Sequence, residues 1–118
     1  MNVLEKIIKD KKEEIDNRKR NFPVKNFDLK NNFPEYFLQS LNKKPIGFIA
    51  EIKRKSPSAG VIRKSFNIEK IVSDYEQNGA TIISCLMDSK YFGGGEDDFM
   101  TVCQSTSLPI LYKEFVID

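Results

Sequence analysis

Residues 46–60 read IGFIAEIKRKSPSAG, and this stretch decides the fold. From Ile46 to Lys53 the run is apolar except for one carboxylate and one terminal ammonium, which predicts a buried strand. Lys55 to Gly60 is dense in turn-forming residues and predicts a loop at the strand's end. Downstream, Asn67 can cap a helix bearing Ile68, Ile71, Val72 and Tyr75, which closes at Asn78-Gly79. Thr81 to Met87 (TIISCLM) is a second strand, rich in β-branched residues. Gly93-Gly94-Gly95 reads as a mobile loop before a short helix whose Phe99, Val102 and Cys103 face inward. Ser107-Leu108-Pro109 then leads into a third strand, Ile110 to Phe115.

This β-α-β-α-β alternation predicts a parallel sheet with helices outside it. Three long apolar strands leave two unpaired edges, and a (β/α)₈ barrel takes roughly 250 residues. The expected fold class is therefore α/β, the N-terminal part of a (β/α)₈ TIM barrel, in the order α-α-β-α-β-α-β. A small open-sheet domain is the plainer alternative. Upstream, Val3, Leu4, Ile7, Ile8 and Ile15 form one narrow apolar stripe on an amphipathic helix. Residues 21–33 form a connecting stretch, and Pro34 fits the first position of a short helix with Phe37, Leu38 and Leu41 on one face. Residues 1–45 are thus expected to be a helical extension, and 46–118 three barrel strands with two connecting helices, within one domain.

The chain has 118 residues, 40% apolar and 31% charged, enough for a core. Nineteen basic against seventeen acidic residues leave a net charge of +2, which gives no field for nucleic acid. There is no histidine, so proton transfer falls to Lys, Glu, Asp, Tyr or Cys. Cys85 and Cys103 match no zinc or redox spacing and suit a reduced, cytoplasmic protein. The first twenty residues are too charged for a signal peptide, and no apolar run is long enough to span a bilayer. A basic helix can also lie on a membrane, but this one has no aromatic residue on its apolar face and acids interrupt its basic one.

Strand alternation puts Ile49, Glu51 and Lys53 on one face of the first strand, and in the third strand Leu111, Lys113 and Phe115 share a face. Both lysines fall near carboxyl ends of strands, where parallel α/β folds bind ligands. Glu51, Lys53 and Lys113 therefore make an acid/base and anion-binding set. The competing reading is a structural Glu51–Lys53 ion pair with a merely solvated Lys113. Ser56-Pro57-Ser58 can bind an anion through its hydroxyls or serve as an ordinary turn. The glycine triplet lacks the spacing of a nucleotide loop.

Phe48 to Gly60, FIAEIKRKSPSAG, closely resembles the first-strand signature of the indole-3-glycerol phosphate synthase family. Tyr75-Glu76 with Gly79-Ala80, Tyr91-Phe92 with Gly94, and Leu108-Pro109 with Lys113-Glu114-Phe115 match the same family in order. The resemblance covers essentially the whole chain. It implies a (β/α)₈ barrel that acts in tryptophan biosynthesis without metal or organic cofactor. The implied substrate is a phosphorylated small molecule, 1-(2-carboxyphenylamino)-1-deoxyribulose 5-phosphate, closed, decarboxylated and dehydrated to indole-3-glycerol phosphate. By motif, Lys113 matches the general acid, Lys53 a lysine that binds the substrate's anionic groups, and Glu51 the carboxylate that orients both. Ser56 and Ser58 match contacts to the anionic end, and Phe92 and Phe115 match residues lining the anthranilate pocket. Glu114, Met87, Lys55, Gly93 and Gly95 depart from the family's usual residues without removing a catalytic group. The family's remaining catalytic and phosphate-binding residues would lie beyond Asp118. The expected partners are therefore that substrate, neither nucleic acid nor membrane, and further copies of the chain through exposed sheet edges. A catalytically silent barrel fragment that pairs with itself or with a complementary fragment is the alternative to an enzyme.

Overall fold

The computed structural model describes residues 1–22 and 33–118, which fall into two compact units: residues 1–22 with 115–118, and residues 33–114. Most of the connecting stretch expected over 21–33 lies outside the described residues.

In the first unit, helix α1 (Val3–Asn21) is set by its ends. Asn2 accepts from the Glu5 amide at 2.8 Å while Glu5 accepts from the Asn2 amide at 3.0 Å, a reciprocal cap that satisfies two donors the helix itself leaves free. Arg18, Lys19 and Arg20 crowd the last turn, where positive charge offsets the negative end of the helix dipole. Ile7 is buried, but Val3 and Leu4 are more than half exposed, so the expected apolar stripe is narrower than its spacing suggests. Lys11 is buried and pairs with Glu14 at 2.8 Å. Lys19 pairs with Asp118.

The second unit runs α2 (Phe33–Asn42), β1 (Ile49–Ile52), β2 (Lys55–Ser56), β3 (Gly60–Val61), α3 (Ile68–Gln77), β4 (Ile82–Leu86), α4 (Ser89–Phe92), α5 (Glu96–Ser105) and β5 (Ile110–Lys113). β1, β4 and β5 form a parallel sheet with β4 in the centre. Ala50 and Ile52 of β1 join Ile83, Cys85 and Met87 on the face covered by α3 and α5. There they pack with Ile68, Val72, Ala80 and Val102 in one apolar core. Asn67 caps α3 by accepting from the Lys70 amide, as its position before the apolar run predicts.

The strands are shorter than expected. Ile46 is 81% exposed and lies outside β1, and Phe115 lies beyond β5. Central β4 is buried at every position, whereas β1 buries only alternate residues, because an edge strand has one covered face. β1 still starts firmly. The Phe48 amide donates to Thr81 Oγ1 at 3.0 Å, and the Phe48 carbonyl accepts from the Thr81 amide at 2.8 Å. On α5, Val102 takes the inward position and is fully buried, which leaves its neighbour Cys103 exposed rather than inward. Among the described residues no helix is long and apolar enough to cross a membrane.

Candidate active site

The face of the sheet opposite the core carries Ile49 and Glu51, then Ile82, Ser84 and Leu86, then Leu111 and Lys113. Register sets their heights. Glu51 stands level with Ser84, and Ser84 with Leu111, while Lys113 is level with Leu86, one side-chain layer further toward the carboxyl ends. The long Lys113 stem spans that layer, and its Nζ donates to Glu51 Oε1 at 2.7 Å. Lys53, just past the end of β1, brings its Nζ to 3.9 Å from Glu51 Oε2. Ser84 Oγ, almost fully buried, donates to Glu51 Oε1 at 3.4 Å. One carboxylate thus faces two ammonium groups and a hydroxyl.

β1 is held from behind. Tyr75, on α3, donates its hydroxyl to the Glu51 carbonyl at 2.8 Å. Beside this strand lies a cleft of about 330 Å³ whose lining includes Glu51, Lys53, Ile62, Arg63, Phe66 and Tyr75. It offers a second cation, Arg63, next to aromatic and aliphatic walls.

The Ser-Pro-Ser stretch is a small antiparallel hairpin rather than a bare loop, with Lys55 opposite Val61 and Ser56 opposite Gly60. Ser56 Oγ is buried, accepts from the Ala59 amide at 3.1 Å and lies 3.4 Å from Ser58 Oγ. Ser58 itself is exposed. Phe92, half-buried, ends the one-turn helix α4, which Asp88 caps by accepting from the Tyr91 amide at 2.7 Å. Phe115 is half-buried, follows β5 and belongs to the first unit.

The glycine triplet is more than a mobile loop. Gly93 closes α4 with φ +68°, the left-handed conformation that side chains resist, and a Cβ on Gly94 would meet the Leu86 carbonyl oxygen at 1.8 Å.

Two residues on this framework carry no role in the sequence reading. Ser84 had a legible signal, a hydroxyl in the middle of an otherwise apolar strand. Arg54 had none, because its partner Asp98 stands 44 positions away. Among the described residues no three His, Cys, Asp or Glu side chains gather as a metal-binding group.

A sequence model of the indole-3-glycerol phosphate synthase family matches residues 4–118. The chain is 37% identical to the indole-3-glycerol phosphate synthase of Aliarcobacter butzleri, over 98% of this chain and 47% of that protein. It is 43% identical to that of Prochlorococcus marinus and 42% to that of Acinetobacter baylyi, over 98% of this chain and 41% and 44% of theirs. The chain thus spans less than half the length of these curated relatives.

Proposed function

This chain belongs to the indole-3-glycerol phosphate synthase family and carries the first strands of its (β/α)₈ barrel, and from that premise we propose that Glu51, Lys53 and Lys113 serve the family's reaction. The substrate is 1-(2-carboxyphenylamino)-1-deoxyribulose 5-phosphate, and the product is indole-3-glycerol phosphate. The observation that carries the proposal is the Glu51 carboxylate, 2.7 Å from the Lys113 ammonium and 3.9 Å from that of Lys53, at the carboxyl ends of parallel strands.

Lys113 is the general acid: it gives a proton to the substrate ketone oxygen as the aryl carbon attacks the carbonyl carbon to close the ring. Loss of carbon dioxide restores the aromatic ring, and loss of water completes the indole. Lys53 holds the anionic groups of the substrate and, as a second ammonium, stands ready to protonate the departing hydroxyl. Glu51 keeps both lysines aimed, so their ammonium groups are in place before the oxyanion develops. Ser56 and Ser58 hold the anionic end, while Phe92 flanks the anthranilate ring and favours the folded, reactive conformer. A cytoplasmic location follows from a soluble biosynthetic role.

The test is turnover in the longest polypeptide that carries this sequence. Lys113→Ala should lower kcat by about 10³-fold or more, in the range that loss of a general acid produces. Ordinary turnover in that variant would refute the assignment. Pairing between copies through strand edges is the second reading, favoured by the outer edges of β1 and β5, which pair with no other strand among the described residues. A monomer whose mass in light scattering does not change with concentration would remove it.

A further inference from the structure

Ser84 stands midway along β4, which is buried at every position, and is itself 2% exposed. A hydroxyl in such a place has given up water, and that costs free energy unless a partner takes its proton. Its level neighbour on β5, Leu111, has no acceptor in its side chain, whereas its level neighbour on β1 is Glu51. A carboxylate only accepts, so the hydroxyl donates to Oε1, at 3.4 Å. A contact of that length adds little stability. Its effect is one of direction.

The three groups that meet the Glu51 carboxylate differ in stiffness. Lys53 and Lys113 reach it on long stems that are partly exposed, so either ammonium can leave at little cost. Ser84 has a single side-chain torsion and a place set by the central strand. The Glu51 backbone is fixed as well. Phe48 turns its carbonyl toward Thr81, ahead of β4, so by alternation along β1 Glu51 turns its own carbonyl to the outer edge, where the Tyr75 hydroxyl donates to it at 2.8 Å. What remains free is the Glu51 side chain, whose terminal torsion has a broad, roughly two-fold profile. Ser84 is the rigid donor that selects one setting. It draws Oε1 toward β4, where Lys113 meets the same oxygen at 2.7 Å, and leaves Oε2 to face Lys53 at 3.9 Å.

We propose that Ser84 is a positioning residue: by donating to Oε1 it sets the rotation of the Glu51 carboxylate, so that each lysine is aimed by a different oxygen. This rests on the reading of Glu51, Lys53 and Lys113 as the groups that serve the reaction. Ser84 acts through Glu51, and so on the rate of the chemical steps rather than on the grip of the anionic or aryl end of the substrate.

The test compares Ser84→Ala, Glu51→Ala and the double variant in the longest polypeptide carrying this sequence, at a temperature where each is folded. Ser84→Ala should lower kcat about tenfold with KM within about twofold, the pattern of an interaction that counts only in the transition state. In the Glu51→Ala background, read by single turnover, the same substitution should change the rate by less than about twofold, because the group it positions is gone. Unchanged kcat, a rise in KM alone, or an undiminished effect in that background would each overturn the proposal. Competitive acylation of the same polypeptide gives a readout independent of turnover. In Ser84→Ala, Lys113 should react about threefold faster relative to exposed Lys43, since its carboxylate no longer keeps one setting, and an unchanged ratio would also overturn the proposal. Retained turnover in Lys113→Ala would instead remove the functional reading and leave the acylation result standing.

Discussion

Three adjacent glycines should respond to alanine in three different ways. At Gly94 the loop folds back on the end of β4: its amide donates to the Asp88 carbonyl at 3.0 Å, and a Cβ would lie 1.8 Å from Leu86 O and 2.6 Å from Leu86 C. Both are backbone atoms of the central strand, so no side-chain rotation relieves the overlap. Gly94→Ala must displace the loop or the strand end, at a cost of about 3 kcal/mol or more. At Gly93 the obstacle is conformational. Its φ of +68° costs an alanine about 1–2 kcal/mol, and the atoms its Cβ would meet belong mainly to the flexible Lys55 stem. At Gly95 no atom of the described residues stands within 4 Å of a Cβ and the backbone is extended, so alanine should change stability by about 0.5 kcal/mol or less. Urea unfolding at constant m-value ranks the three by midpoint. If Gly94→Ala matched Gly95→Ala to within about 1 kcal/mol, the close approach to Leu86 would not constrain the protein and the argument would fail.

Burial raises the Cys85 thiol from an ordinary value near 9 to about 11, so the folded form holds its proton more tightly than the unfolded chain; stability should be complete below pH 9 and fall toward pH 11 by about 1.4 kcal/mol per unit, a slope that Cys85→Ala should lack in paired urea titrations. At neutral pH a thiol reagent should label exposed Cys103 and spare Cys85 until the protein unfolds. Thr81→Val should cost about 1–2 kcal/mol in thermal or urea unfolding, because the Phe48 amide loses its acceptor, and Thr81→Ser should restore most of that stability.

The parallel sheet was legible because each strand and helix announces itself locally. Thr81 to Met87 is β-branched and apolar, and β4 is buried throughout; Asn67 sits where a cap must, and it caps. What escaped depends on contacts that no short window contains. The hairpin Lys55–Val61 is held by Ser56 accepting from Ala59 and by the Ile62 amide reaching back to the Arg54 carbonyl, so turn composition alone reads as loop. Helix α4 is a single turn, too short for any periodicity, and only the Asp88 cap marks its start. The strand ends were placed too far out because apolar character continues past the point where pairing stops, as at Ile46 and Phe115. On the site itself, alternation placed Glu51 and Lys53 on one face and Lys113 near a strand end. It could not show that β5 is staggered so that Lys113 reaches one layer down to the carboxylate.

That stagger bears on the choice between a catalytic set and an ornamental ion pair. Glu51 is 30% exposed, Lys53 36% and Lys113 53%, so solvent screens both attractions. Pairs exposed to this degree contribute about 0–1 kcal/mol, before the entropy of holding two lysine chains in place is counted. Had stability been the only demand, apolar residues at 51 and 113 would have continued the pattern of Ile49 and Leu111 and released no charge onto the sheet. Instead two ammonium groups share one carboxylate, which leaves the cluster with one net positive charge at the strands' carboxyl ends, and Arg63 adds another in the adjoining cleft. A surplus of positive charge beside apolar walls suits an anionic substrate with an aromatic end. It contributes little to a fold whose core lies on the other face of the sheet.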